Sequence, residues 1–336
     1  MKRVVTFGEV MMRLSPPGYA KFSQTNTLDV VYGGGEANVA ISLAYLGVSA
    51  AHVTRFPDNL LGRSAEQFLR HHWLDTSAII YGDHHMGKYF LEKGAVHRGS
   101  QVVYERDGSA FAKIEPGMVD WSQVLDGADW FHWTGITPAV SAGAAACCQE
   151  AIAEANKRGI TVSADIHSRK SLWNYGKAQQ EIMPELIAGS DVVIGSEYDV
   201  SEIFGEPITG EGNERFRIAA EKLTKLCPRI QKVFDKNREM VSASHNRIQG
   251  KLWNGKEFLK TTKLDVTHIV DRVGTGDAYA AGIIYGLLHY AEDIQALKFA
   301  TAACALKHTV EGDANMVSLE VVQNVMEGNT SGKISR

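Results

Sequence analysis

The sequence is poor in cysteine. Its four, Cys147, Cys148, Cys227 and Cys304, form no C-x-x-C pair and no His/Cys cluster. A disulfide framework or a zinc site is therefore not expected, and a reducing cytoplasm is the simplest location. Proline is scarce too, 8 residues against 32 glycines, so turns are tight and numerous but seldom rigid. No run approaches the ~18–20 apolar residues of a membrane span. The opening Met1-Lys2-Arg3-Val4-Val5-Thr6-Phe7-Gly8-Glu9 lacks the apolar stretch and cleavage site of a secretory leader; it reads as a strand entering a turn. Positive charge is not in excess: 35 Lys and Arg face 39 Asp and Glu, a net charge of -4. That balance offers no field for nucleic acid or an anionic membrane. An anionic ligand must instead be held by a few placed Arg or Lys residues. Repeats and low-complexity tracts are missing. With 44% hydrophobic and 22% charged residues, the composition excludes a disordered chain.

What is present is a regular alternation. The 336 residues suit one large domain or two ordinary ones. Val53-Thr54, Ala78-Ile79-Ile80, Trp130 to Trp133, Ile160 to Ala164 and Val192-Val193-Ile194 read as buried strands. Between them lie helical stretches such as 139–157 and 214–226; in the second, Phe216, Ala219, Ala220, Leu223 and Leu226 keep helical spacing. This predicts an α/β fold with a mostly parallel central sheet covered by helices on both faces. Residues 10–32 and 87–113 break the rhythm. Tyr89 to Lys93 and Val102 to Arg106, joined across Arg98-Gly99-Ser100, alternate apolar and polar residues with no helix between. Both regions read as antiparallel hairpins, forming either a lid or an edge extension of the main sheet. The expected division is a core of 1–9, 33–86 and 114–330, a lid of 10–32 and 87–113, and a frayed tail of 331–336.

Two glycine clusters carry chemistry. Asp271-Arg272-Val273-Gly274-Thr275-Gly276-Asp277 follows a strand-like Thr267 to Val270 and opens a small-residue helix, Ala278 to Leu288. Glycines at a helix entrance let backbone N–H groups converge on an anion. Asp277 then reads either as a first-turn carboxylate or as a general base beside an anion hole. Gly33-Gly34-Gly35-Glu36-Ala37-Asn38 precedes a second apolar helix, Val39 to Leu46. By itself that cluster reads as a flexible turn. A dinucleotide fingerprint fails because Tyr279 stands where Gly or Ala is needed, and no P-loop motif occurs. The pairs His71-His72 and His84-His85 read as surface histidines. Asn329-Thr330-Ser331 is a chance match to a glycosylation acceptor.

Taken together, the two clusters resemble the ribokinase-like (PfkB) family of sugar kinases. Gly8 to Gly18, Phe131 to Pro138, Ser242 to Asn246, and Lys307-His308-Thr309 followed by Gly312-Asp313 look like 2-keto-3-deoxygluconate kinases in particular. The resemblance covers nearly the whole chain and implies a three-layer α/β sandwich with a β lid. It implies ATP-dependent phosphorylation of a sugar acid's terminal hydroxyl, with Mg2+ on the phosphates. Carried over by position, Asp277 is the base and Gly274, Thr275 and Gly276 form the anion hole. Gly34, Asn38, Tyr89, Tyr104, Arg106 and Arg169 bind the sugar, the two arginines taking its carboxylate. Ser196, Lys236, Arg238, Gly274, Gly276, Ala303 and Asn315 fall on the ATP side. Asp199 is placed near Mg2+ through water, and a monovalent cation near Asp271 and Val273. Exposed lid edges imply a homodimer. The chain departs from the family pattern at Ser196, where an Asn is usual, and at Lys236-Asn237-Arg238, where Thr-Leu-Arg is usual. The alternatives are a kinase of another sugar, such as fructose, and a sugar-acid-binding paralogue with impaired turnover.

Overall fold

A computed structural model describes residues 2–167, 169–330 and 332, so the tail expected to fray lies almost wholly outside the described residues. The central sheet has nine strands. Six run parallel, in the order Lys232–Ser242, Val192–Ile194, Thr161–Asp165, Trp130–Thr134, Arg3–Phe7 and Ser49–Val53. His245–Trp253 adds antiparallel to Lys232–Ser242 and carries two short strands, Phe258–Lys260 and Leu264–Val266. The parallel strands are apolar on both faces, as expected of strands sandwiched between helices. Val4 faces one core and Val5 the other. One face is covered by the helices Gly35–Tyr45, Thr275–His289 and Asp293–Lys307, the other by Ala142–Lys157, Gln179–Ala188 and Gly212–Leu226. The fold is the expected α/β sandwich, a mostly parallel sheet between two helical layers.

The small residues near the chain's end have a packing reason. A Cβ on Gly282 would lie 2.6 Å from the Cα of Ala300, and one on Gly286 2.6 Å from the Cα of Ala296. The helices Thr275–His289 and Asp293–Lys307 therefore meet backbone to backbone. This contact fixes the axis of the helix that begins at the second glycine cluster.

A separate four-stranded sheet stands over one end of the sandwich, in the order Asp29–Gly33, Met11–Ser15, Lys88–Glu92, Gln101–Glu105. Its outer pairs are the two antiparallel hairpins expected; its inner pair is parallel. Phe111 packs on Phe7, with ring centroids 5.5 Å apart, so the chain has returned to the core by that point.

Several expectations need correction. Helix 139–157 is two helices, Ile136–Val140 and Ala142–Lys157, because the Ser141 side chain accepts from the Ala144 N–H and caps the second. Residues 267–270 form no strand; the strand before the glycine cluster is Leu264–Val266. Ile80 sits in a half-buried two-stranded side sheet, not in the central one. His72 is buried against Phe68 rather than exposed. Among the described residues no helix is long and apolar enough to cross a membrane.

Candidate active site

Thr134 and Asp165, the last residues of two central strands, open into a cleft of about 510 Å³ beneath the small sheet. Ligands in parallel sheets gather at this end. The small sheet contributes Met11, Tyr89, Val102 and Tyr104; the long hairpin contributes Lys236 and Arg238. Gly34, Gly35, Asn38, Arg169 and residues 272–277 complete the wall. The two glycine clusters, 239 residues apart from Asn38 to Asp277, thus face one space.

The anion hole is built by backbone geometry. Gly274 is left-handed, with φ 76°, and caps the helix Thr275–His289. A Cβ there would sit 1.7 Å from the Asp313 carbonyl oxygen, so both conformation and space demand glycine. The first N–H groups of the helix have no partner within it and carry its positive end. Lys236 reaches the same place. Its Nζ is 3.8 Å from where a Gly276 Cβ would stand and 5.1 Å from the centroid of the Tyr279 ring.

Asp277 stands in the first helical turn, facing the cleft. The Asn38 side-chain amide donates to its Oδ2 at 2.7 Å. Burial pushes its carboxyl up to about 7; the Asn38 hydrogen bond works against this, and the nearby Asp165, Asp313 and Glu36 add to it. A carboxylate poised near neutrality beside an anion hole can take a proton from an alcohol. Glu36, two residues before Asn38, is a different kind of carboxylate. It is fully enclosed and accepts from the Thr134 N–H, from Thr134 Oγ1 at 2.7 Å and from Thr137 Oγ1 at 2.6 Å. It ties the glycine turn to the strand end.

Arg13 was missed by sequence reasoning. It is fully buried, with Nη2 2.6 Å from Asp271 Oδ2 and Nη1 2.8 Å from Asp313 Oδ1. Tyr89 donates to the other oxygen of Asp313. A strand of the small sheet is thereby pinned to the two segments that flank the anion hole. The available signal was an arginine in the inward register of Met11-Met12-Arg13-Leu14-Ser15, where Met11 and Ser15 are also buried.

A match to the family model described as pfkB family carbohydrate kinase spans residues 1–319. The chain belongs to the pfkB family of carbohydrate kinases. It is thus an ATP-binding phosphotransferase with an alcohol acceptor. It is 38% identical to the 2-dehydro-3-deoxygluconokinase of Thermotoga maritima, whose crystal structure superposes with a TM-score of 0.93 over 98% of this chain and 100% of that one. It is 29% identical to a 2-dehydro-3-deoxygalactonokinase of Haloferax volcanii over 98% of both chains. A 2-dehydro-3-deoxygluconokinase of Thermoproteus tenax is 28% identical over 93% of this chain and 90% of that one.

The kinase cleft does not gather every residue expected there. Arg106 is not among its lining residues; its guanidinium is buried against Glu9. Ser196 caps the helix Glu197–Phe204, and its N–H and Oγ both donate to Asp199 Oδ2, at 2.8 and 2.6 Å. Neither residue lines the cleft. Among the described residues no group of three His, Cys, Asp or Glu could hold a metal ion. Ala303 and Asn315 are buried behind the wall, joined by an Asn315 Nδ2 bond to the Ala303 carbonyl at 3.3 Å. The place where a monovalent cation is expected, near Asp271 and Val273, is also reached by protein cations. Asp271 already takes Arg13 and the Val273 N–H, and the buried Lys307 ammonium is attracted by both Asp271 and Asp313. Tyr89 lines the cleft, and its hydroxyl donates to Asp313.

Proposed function

We propose that this kinase transfers the γ-phosphoryl group of ATP to the terminal hydroxyl of 2-keto-3-deoxygluconate, giving 2-keto-3-deoxy-6-phosphogluconate and ADP. The observation that carries this reading is Asp277, whose carboxyl burial pushes up to about 7, directly after Gly274–Gly276 in a cleft that Arg169 also lines. The hydroxyl proton passes to Asp277. The alkoxide oxygen forms its bond to the γ-phosphorus as the bond to the ADP oxygen breaks. Helix N–H groups and the Lys236 ammonium offset the charge on the transferred group. A bound Mg2+ would supply further charge on the phosphates; Asp199, expected to hold it through water, accepts from the Ser196 N–H and Oγ at its helix start. Arg169 reads the sugar's carboxylate, and the tilted Tyr89 and Tyr104 rings, 5.7 Å apart, wall the sugar chain.

A coupled ATPase assay tests the reading with 2-keto-3-deoxygluconate, its galacto epimer, 5-dehydro-2-deoxygluconate and fructose. Fastest turnover on fructose would replace the sugar-acid reading with a neutral-sugar kinase. Sugar-acid binding without turnover would replace it with the binding paralogue. Arg169→Ala should raise the KM for the sugar acid roughly thirtyfold, about 2 kcal/mol, and leave that for a neutral analogue nearly unchanged. Equal losses on both would remove Arg169 from carboxylate recognition.

The same reading places the enzyme in the cytoplasm, where ATP is made and where its four free, buried cysteines stay reduced. It also makes the small sheet both a lid and a dimer contact. Every residue of its edge strand Gln101–Glu105 is exposed, with Val103 at 61% and Tyr104 at 55%. An unpaired apolar edge of this kind favours pairing with a second copy. Sedimentation should show a dimer at micromolar concentration, converted to monomer by Val103→Lys. A monomeric wild type would reject the contact.

A further inference from the structure

His167 has no part in the reading above, yet it lines the same cleft as Arg169 and Gly274–Gly276. Its Nδ1 lies 2.5 Å from Asp165 Oδ1, and its own backbone N–H donates to the same oxygen at 3.1 Å. Asp165 is nearly enclosed at its strand end and also faces the cleft. An unmasked carboxylate here would repel any phosphate entering the anion hole. It already acts on the Asp277 carboxyl. With Nδ1 committed to Asp165, the imidazole's Nε2 is on the opposite edge of a half-exposed ring, 36% accessible.

We propose that the Asp165–His167 pair is a charge mask at the phosphoryl-transfer end of the cleft. The imidazolium neutralises Asp165 and makes that wall a binding surface for the terminal phosphate oxygens of a nucleoside triphosphate. His167 is therefore a nucleotide-positioning residue. This rests on the reading that the triphosphate enters at Gly274–Gly276.

The groups around the ring support a held proton. The Asp165 carboxylate raises the imidazole's pKa from its ordinary value, burial opposes this, Lys236 lowers it and Asp199 raises it. In turn, although burial disfavours its charge, His167 and then Lys236 hold the Asp165 carboxyl well below the usual carboxylate range. Arg169, Arg238, Arg272 and Asp277 line the same cleft. Lys236 approaches from the hairpin, so with His167 charged the phosphate site is flanked by cations on two sides.

The sign follows directly. Below its raised pKa the imidazole is charged and the mask is present; as pH rises through that pKa the proton leaves and Asp165 is exposed. The test is calorimetric titration of Mg-ATP, without sugar, into the Asp277→Asn protein, whose base no longer titrates, from pH 6 to 9.5. The dissociation constant should rise about tenfold across the range, the weak end of one charge-assisted hydrogen bond. Its inflection should lie above the ordinary imidazole value of ~6.5. Adding His167→Gln should weaken binding about tenfold at pH 6.5 and flatten the profile. Adding Asp165→Asn instead should keep the inflection but move it down toward the ordinary value. A His167→Gln profile parallel to its parent, or an inflection unmoved by Asp165→Asn, would overturn the mask while leaving the kinase intact. Failure of the parent to bind ATP at any pH would overturn the nucleotide reading and the mask together.

Discussion

Asp277→Asn should lower kcat by about 10²–10⁴-fold, the usual weight of a general base, while sugar-acid binding measured by calorimetry stays close to wild type. The amide keeps the shape of the carboxylate but cannot accept a proton. In the wild type, kcat/KM should fall tenfold per pH unit below about 7, because there Asp277 holds its proton. The same shift has a stability consequence of opposite sense. Between the ordinary carboxyl value and about 7 the folded chain keeps a proton that the unfolded chain has lost, so this group's contribution to stability falls as pH rises through that window. Asp277→Asn should therefore raise the melting temperature more at pH 8 than at pH 4. A variant with wild-type turnover, or one less stable than wild type at pH 8, would remove Asp277 from the role of buried base.

The central sheet and the glycine-led helix start at Gly274 were legible because each is written locally. Val192-Val193-Ile194 is apolar on both faces and can only be an inner strand, and two glycines before a helix of small residues mark a backbone that must bend close to something. Asp277 was legible for the same reason. What was hidden depends on partners far along the chain. Arg106 carries the right charge for a sugar acid, yet Glu9 claims it across the lid base. Ser196 and Asp199 sit at the right strand end, yet a helix start has its own need for a serine and a carboxylate three residues apart, and that need is met first. Ala303 was expected on the ATP side, but it is buried in a helix whose Ala300 and Ala296 pack against Gly282 and Gly286 of the neighbouring helix. In each case the residue type was compatible with two roles, and only the three-dimensional neighbour decides. His167 was overlooked for the opposite reason. It lies two residues from Asp165 and two from Arg169, and nothing in that spacing distinguishes a ring turned back on its own strand from one turned to solvent.

Arg13→Met should destabilise the protein by roughly 3–5 kcal/mol in urea unfolding, the cost of stranding buried charge. Its guanidinium, with a side chain only 2% accessible, satisfies Asp271 and Asp313, whose side chains are 1% and 3% accessible. Surface ion pairs in the same chain, such as Arg63–Asp58, at 54% and 63% accessible, should contribute under about 1 kcal/mol by the same measurement. The difference arises because removing Arg13 leaves two buried carboxylates without the guanidinium that pairs with both. It also frees the strand Met11–Ser15, one of the two inner strands of the small sheet, from the segments beside Gly274. Loss of lid registry should therefore raise the sugar-acid KM beyond what unfolding explains. The triple variant Arg13→Met, Asp271→Asn, Asp313→Asn separates the two effects. Removing both charges along with their partner should recover most of the stability, because neutral amides are far cheaper to bury. Activity should stay low, since nothing then fixes the lid to the anion hole. A single variant as stable as wild type would show that the guanidinium does not hold these carboxylates, and a triple variant with normal KM would show that the pin is structural only.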